Sequence, residues 1–275
     1  MPRLLQIRRA VLSSLTLGAA GVLAHYYPQL VAGFPHLVYL TGWFLGVLCL
    51  GLTAYNLRKK LPFLPLLSSR VWLQFHAYAG LFAGVLFVFH LRFAVPAGPF
   101  NLALAGLFLA VTLSGISGWW LSRAIPRRLT SAGGEVPFER IPVIRRDLRL
   151  QAEKIALAAI PEAKSTTLAD FYVRELAPAF AAGPAFFPHL LGSRAALNNR
   201  LAALAETGRY LAASEQTRAE EIAELVRARH VLDFHHANQL LLKGWLFVHL
   251  PLTYALLVFT FVHILLVHTY SGGAR

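Results

Sequence analysis

Two stretches of this chain carry the same chemistry at the same spacing. Residues 72–90 read WLQFHAYAGLFAGVLFVFH and residues 245–263 read WLFVHLPLTYALLVFTFVH. In each, a histidine follows a tryptophan by four positions and a second histidine follows the first by fourteen. Imidazoles inside apolar runs are costly and usually functional. Fourteen residues of α-helix turn through about 1400°, about 40° short of whole turns, and rise about 21 Å. His76 and His90 therefore share one helical face near its opposite ends, and His249 and His263 share another. If the two helices run in the same direction, His76 lies level with His249 and His90 with His263. Two imidazoles facing one another across a gap are what six-coordinate haem iron takes at its axial positions. The spacing thus points to two irons, one per level, and a two-step electron path. A lone histidine in such a helix is often only hydrogen-bonded to a neighbour. Proton relays usually include Asp or Glu, and these stretches have neither.

Composition agrees with a membrane setting. The 275 residues are 56% hydrophobic and 14% charged, too few charges for an ordinary soluble domain of this length. Every carboxylate lies between Glu135 and Asp233, so the outer regions carry only Lys and Arg at the ends of apolar runs. The net charge of +13 is explained by those flanking clusters, and no nucleic-acid surface is expected. Cys49 is the single cysteine and Met1 the single methionine. An internal disulfide, a thiolate cluster and a CxxCH attachment of c-type haem are excluded, and a thioether ligand effectively so. Histidine is nearly the only metal ligand left.

The expected fold is an all-α integral membrane protein of five transmembrane helices, with a four-helix dihaem bundle and a helical cytoplasmic insertion. The spans fall at about 9–27, 37–57, 70–94, 100–122 and 240–268, each near the roughly 20 residues a bilayer requires. The first, with Arg8 and Arg9 ahead of it and Val22-Leu23-Ala24 near its end, also has signal-peptide features; an uncleaved anchor is expected. Residues 1–123 form spans 1–4, 124–239 the insertion, and 240–275 span 5 with a short outer tail. Arg3, Arg8, Arg9, Arg58, Lys59, Lys60, Arg70, Arg123, Arg127 and Arg128 gather on one side, against Arg92 and Arg275 on the other. This places the N-terminus in the cytoplasm and the C-terminus outside, and makes spans 1, 3 and 5 parallel. In the insertion, Thr167-Leu-Ala-Asp170 resembles a capping box, and 195–213 and 214–230 show helical periodicity. A bland cap over the bundle and a docking platform for a partner both fit.

Gly80 and Gly84 lie between the histidines of span 3 and would admit a flat macrocycle, or simply pack helices. Gly42, Gly46, Gly106, Gly115 and Gly118 allow similar approach on spans 2 and 4. Haem propionates need cationic or donor partners. Arg70 and Lys243 are candidates on the cytoplasmic side and Arg92 on the outer side, though all three also suit interface anchors. Trp43, Trp119 and Trp120 read as interface or packing residues.

The four histidines resemble the dihaem cytochrome b group, in which two parallel helices of the bc and b6f complexes each supply two histidines with a similar gap. The resemblance covers spans 2–5 and leaves the insertion unmatched. It implies two b-type haems, quinone or quinol as membrane electron carrier, and a partner redox subunit. The tail GWLFVHLPLTYALLVFTFVHILLVHTYSGG also looks like bacterial inner-membrane cytochromes b serving periplasmic multihaem cytochromes c; an iron–sulfur protein is the other partner class. The Pro-Glu-Trp-Tyr motif of the bc family is absent, since Pro161-Glu162 continues as Ala-Lys in the insertion. The resemblance supports a bc-like haem core and not a bc complex.

Quinol oxidation releases protons as well as electrons. Asp233, His235 and His236, followed by Asn238, precede span 5 and could bind a quinone; an interfacial helix start with solvated polar residues is the plainer reading of them. His25, His36 and His268 could serve on the outer side, or two of them could ligate a third haem, though His268 is turned away from the His263 face. His189 and His230 read as ordinary insertion residues. The expected function is a dihaem membrane electron-transfer subunit of a respiratory complex, of quinol-dehydrogenase type, that needs its partner. Alternatives are a self-sufficient reductase like the cytochrome b561 group and a haem-handling assembly protein.

Overall fold

The computed structural model describes residues 2–34, 36–60, 68–133 and 136–271. Arg275 and the side chains of Arg3, Arg8, Arg9, Arg58, Lys59, Lys60 and Arg70, the last a candidate propionate partner, lie outside the described residues. The chain is all-helical where described, and five helices are long and apolar enough to cross a membrane. These are α1 (Pro2–Gly33), α2 (Leu37–Lys60), α3 (Ser69–His90), α4 (Pro99–Ser131) and, last in the chain, α10 (Ala213–Ser271). Between α4 and α10 lie α5 (Ile141–Ala163), α6 (Thr167–Phe171), α7 (Ala177–Ala181), α8 (Phe186–Leu190) and α9 (Ala195–Thr207). The chain divides into two compact units, residues 1–120 with 245–275, and Leu121–Gly244.

In the first unit, side-chain contacts fix the order and sense of the helices. Thr41 meets His90 and Leu52 meets His76, so α2 and α3 are antiparallel. Phe87 stacks on Phe108 with ring centres 4.0 Å apart, and Gly84 faces Thr112, which sets α3 against α4. Phe100 stacks on Phe259 at 5.4 Å, and Ser114 meets His249, so α4 and α10 are antiparallel. Tyr39 reaches the Val267 carbonyl and Gly46 faces Ile264, closing α10 onto α2. The four helices form a ring in which α3 and α10 run in the same direction. Outside it, α1 lies parallel to α3, through Ser13 with Tyr78 at 3.1 Å and Tyr27 with the Phe89 carbonyl at 3.1 Å. On α2, Thr41, Leu45 and Cys49 are buried while Leu40, Phe44 and Val47 are exposed. One face packs and the other is what hydrocarbon would cover.

The second unit has its own core. Ala152, Ala156 and Ala159 give α5 a small-residue face that packs in a cluster with Leu168, Leu176, Leu204, Ile222 and Val226. The helix expected to open at a Thr167 capping box does begin there, but with different chemistry. Ser165 Oγ accepts the Thr167 N–H at 3.2 Å, and the Thr166 hydroxyl donates to Asp170 at 3.0 Å. The segment then continues through a π-turn, Tyr172–Leu176, into α7.

Helix α10 is longer than the sequence suggests. It runs unbroken through Asp233–Asn238, because the polar side chains there are buried inside the second unit rather than marking a boundary. Arg229 Nε donates to Asp233 at 2.9 Å, and its terminal nitrogens donate to the Phe180 and Ala182 carbonyls at 3.0 and 2.8 Å. Arg145 lies 3.4 Å from the other Asp233 oxygen and also donates to Ala182. Removing one partner of a buried pair leaves an uncompensated charge, at a cost of about 3–5 kcal/mol. Asp233→Ala is expected to lower the thermal midpoint of the full chain in detergent and to expose residues 180–182 to proteolysis. An unchanged midpoint would show that this network does not hold the unit together.

Candidate paired-histidine site

All four histidines of the repeated pattern lie in the first unit, and the contacts of three define how their rings are set. His76 Nδ1 lies 3.0 Å from the Leu52 carbonyl of α2. A carbonyl can only accept, so Nδ1 carries the proton and the ring's lone pair is on Nε2. His90 Nδ1 lies 3.2 Å from the Thr41 hydroxyl, which itself donates to the Val38 carbonyl at 3.0 Å. That hydroxyl has one hydrogen and has spent it, so it accepts from His90 and again leaves the lone pair on Nε2. His249 Nδ1 lies 3.1 Å from the Ser114 hydroxyl of α4. Three of the rings are therefore oriented through Nδ1, the arrangement that metal-ligating histidines require of their surroundings.

Glycines make room for the rings. A Cβ on Gly42 would sit 2.9 Å from His90, and one on Gly115 would sit 3.8 Å from His249. Thr41 and Ser114 each set a hydroxyl at Nδ1 of a histidine on a neighbouring helix, but only Gly42 is held to glycine by the ring; a Cβ at Gly115 would make ordinary contact. The tryptophan four residues before His249 also has a role. Trp245 stacks on His249 with ring centres 5.2 Å apart and planes 21° apart, and its indole N–H donates to the Ser114 carbonyl at 2.7 Å. The indole lies over Gly118, where any Cβ would collide with it. Trp72, four residues before His76, does not repeat this. Its buried indole N–H has no hydrogen-bond partner among the described residues.

The pairing follows the levels. His90 on α3 and His263 on α10 line one cavity, and fourteen residues back along these parallel helices lie His76 and His249, which therefore share the other level. His90 and His263 line a common cavity of about 270 Å³ between α2, α3, α4 and α10. That is close to the lower end of the range usual for small-molecule sites, roughly 300–1,000 Å³. Its deep wall is apolar, with Leu45, Phe87, Phe108 and Leu256 all buried. On α3, a methyl group added at Gly80 would meet nothing within 4 Å, while Gly84 packs on Thr112. Among the described residues no cluster of three or more metal-ligating side chains exists. A haem iron needs only two, which is what each level supplies.

The other candidates are placed differently. Lys243 is in the second unit, paired with Glu139 at 2.8 Å and lying 3.9 Å over the Phe138 ring. Its hydrogen bond holds the Glu139 carboxyl below the usual carboxylate range. Arg92 is exposed in the turn after α3, with φ of 51°, and does not line the cavity. Asp233 is held between two arginines, His235 is buried and His236 stacks on Phe138 at 5.2 Å. His25 is exposed and His36 is too, whereas His268 lines the same cavity as His90 and His263. Thr41, Ser114 and the Leu52 carbonyl were not foreseen from sequence; a hydroxyl followed by glycine inside an apolar run was the visible signal for two of them.

No protein-family model matches the chain, and no curated protein or solved structure is significantly similar to it.

Two glycines on α4 separate packing from propensity. Gly118→Leu must displace Trp245 and is expected to cost about 1–3 kcal/mol through overpacking. Gly106→Leu, with nothing within 4 Å, should leave the thermal midpoint unchanged or raise it. Equal effects at the two sites would mean that the Trp245 seat is not as described.

Proposed function

We propose that the chain is a b-type dihaem cytochrome, the membrane electron-transfer subunit of a respiratory complex that links the quinone pool to a partner redox protein. The observation that carries this reading is the two-level pairing of histidines on parallel helices, with Nδ1 of three rings hydrogen-bonded to neighbouring helices. His76 and His249 would hold one haem iron and His90 and His263 the other, with the first pair towards the cytoplasm and the second towards the outside of a bacterial inner membrane. When bound, each haem supplies a one-electron carrier.

The chain's own residues do the rest by positioning. The Leu52 carbonyl, Thr41 and Ser114 keep the imidazoles in one tautomer and one plane. Trp245 holds His249 from above. The apolar side chains around the cavity of His90 and His263 keep water from that level. The rise of about 21 Å between levels covers most of a hydrocarbon core of about 30 Å, so two steps suffice to move an electron between the two aqueous sides.

Reconstituted with haem into liposomes, the chain is expected to reduce ferricyanide trapped inside when a quinol is supplied outside. His90→Ala or His249→Ala should each stop that transfer, because each breaks one of two steps in series. Transfer that survives both substitutions would overturn the proposal. Removing a hydrogen-bond partner of a ligand typically costs 10–100-fold in metal affinity. Thr41→Val should therefore weaken haem binding about that much at the outer level alone, and Ser114→Ala at the inner level alone, as read from haem titrations of each variant.

A further inference from the structure

The cavity shared by His90 and His263 is polarised along its length, and the polar end is not where the sequence placed the outer cation. Its deep wall is apolar and buried. Its open end is formed by Tyr39, Trp43 and His268, where Trp43 is 49% exposed and His268 is exposed as well. The His268 ring sits 5.6 Å from Trp43 and 5.9 Å from Tyr39, between ring centres. The Tyr39 hydroxyl reaches the Val267 carbonyl at 3.5 Å, which keeps that side chain at the mouth. The His268 imidazole and the Trp43 indole add two N–H donors beside it. Two groups with an N–H to give, His268 and Trp43, thus stand at the mouth of an apolar slot, while the Tyr39 hydroxyl spends its hydrogen on Val267. The unit containing them has no Asp or Glu, so an anion there meets no acidic side chain.

From this we infer that the mouth formed by Tyr39, Trp43 and His268 receives the carboxylates of an amphiphilic ligand whose apolar body fills the slot. On the dihaem reading, on which the inference rests, these are the propionates of the outer haem. The assignment replaces Arg92, which stands outside the cavity. It also gives His268 a use other than ligation of a third iron: it is a positioning residue, acting on the periphery of the ligand and not on the metal.

The test compares haem with its dimethyl ester, which has the same macrocycle and iron but no carboxylate charge. Both are titrated into the full chain carrying His249→Ala, so that only the outer level binds. The acid is expected to bind at least tenfold more tightly than the ester, since each hydrogen bond to a charged group contributes about a factor of ten or more. In His268→Leu and in Trp43→Phe the preference should shrink by about tenfold while ester binding stays unchanged. In Arg92→Gln the full preference should persist. A preference intact in both His268→Leu and Trp43→Phe, or one abolished by Arg92→Gln, overturns the inference and leaves the histidine ligation standing. Failure of either ligand to bind any variant overturns the dihaem reading itself. A merely structural role for His268 would weaken acid and ester equally, which also rejects the inference.

Discussion

An imidazole placed in hydrocarbon must have its N–H satisfied, and the arrangement of the membrane unit depends on that requirement. An unpaired polar group in such a setting costs several kcal/mol. The helices that carry the histidines, α3 and α10, do not supply the Nδ1 partners of each other's rings. Neighbouring helices do: α2 through the Leu52 carbonyl and Thr41, α4 through Ser114. These contacts hold α2 and α4 against the ligand-bearing helices at defined heights. Stability and function thus meet in the same few hydrogen bonds.

The glycines are the steric side of the same constraint. Where an imidazole or indole must lie flat against a neighbouring backbone, as His90 does at Gly42 and Trp245 at Gly118, no side chain is tolerated. Where no ring approaches, as at Gly106, the residue has no such reason. The Trp-to-His spacing that unites the two stretches in sequence has two physical outcomes. At Trp245 it is a stack that buttresses His249. At Trp72 it leaves a buried indole N–H without a partner among the described residues.

Much of the scaffold is legible without coordinates because the membrane enforces a simple rule, long apolar runs free of carboxylates. All five spans appear near their expected positions, and their alternation implies the parallel sense of α1 and α3 that Ser13–Tyr78 and Tyr27–Phe89 display. The insertion is harder to read. Helix α5 escapes notice because its buried face is Ala152, Ala156 and Ala159, residues too small to create a marked apolar period. The polar run Asp233–Asn238 suggests a helix start but lies within α10, where Asp233 pairs with Arg229 one turn earlier on the same helix and with Arg145, which only tertiary structure brings near. The same holds for the ligand supports. Thr41 and Ser114 are single hydroxyls in apolar helices, and nothing in their local sequence names the histidine each one meets. His268 looks misdirected from helical rotation alone, yet the approach of α2 gives it a wall of the cavity.

The central claim is that the paired histidines hold two irons, and the most direct measurement is haem per chain with the spin and ligation state of each. The purified chain should carry two haems, with a dithionite-reduced minus air-oxidised spectrum of low-spin b type and electron-paramagnetic-resonance signals of bis-imidazole ferric iron at both. Well-folded protein carrying no haem, or iron that is high-spin at both levels, would contradict the account and leave the two histidine pairs to be explained by other chemistry.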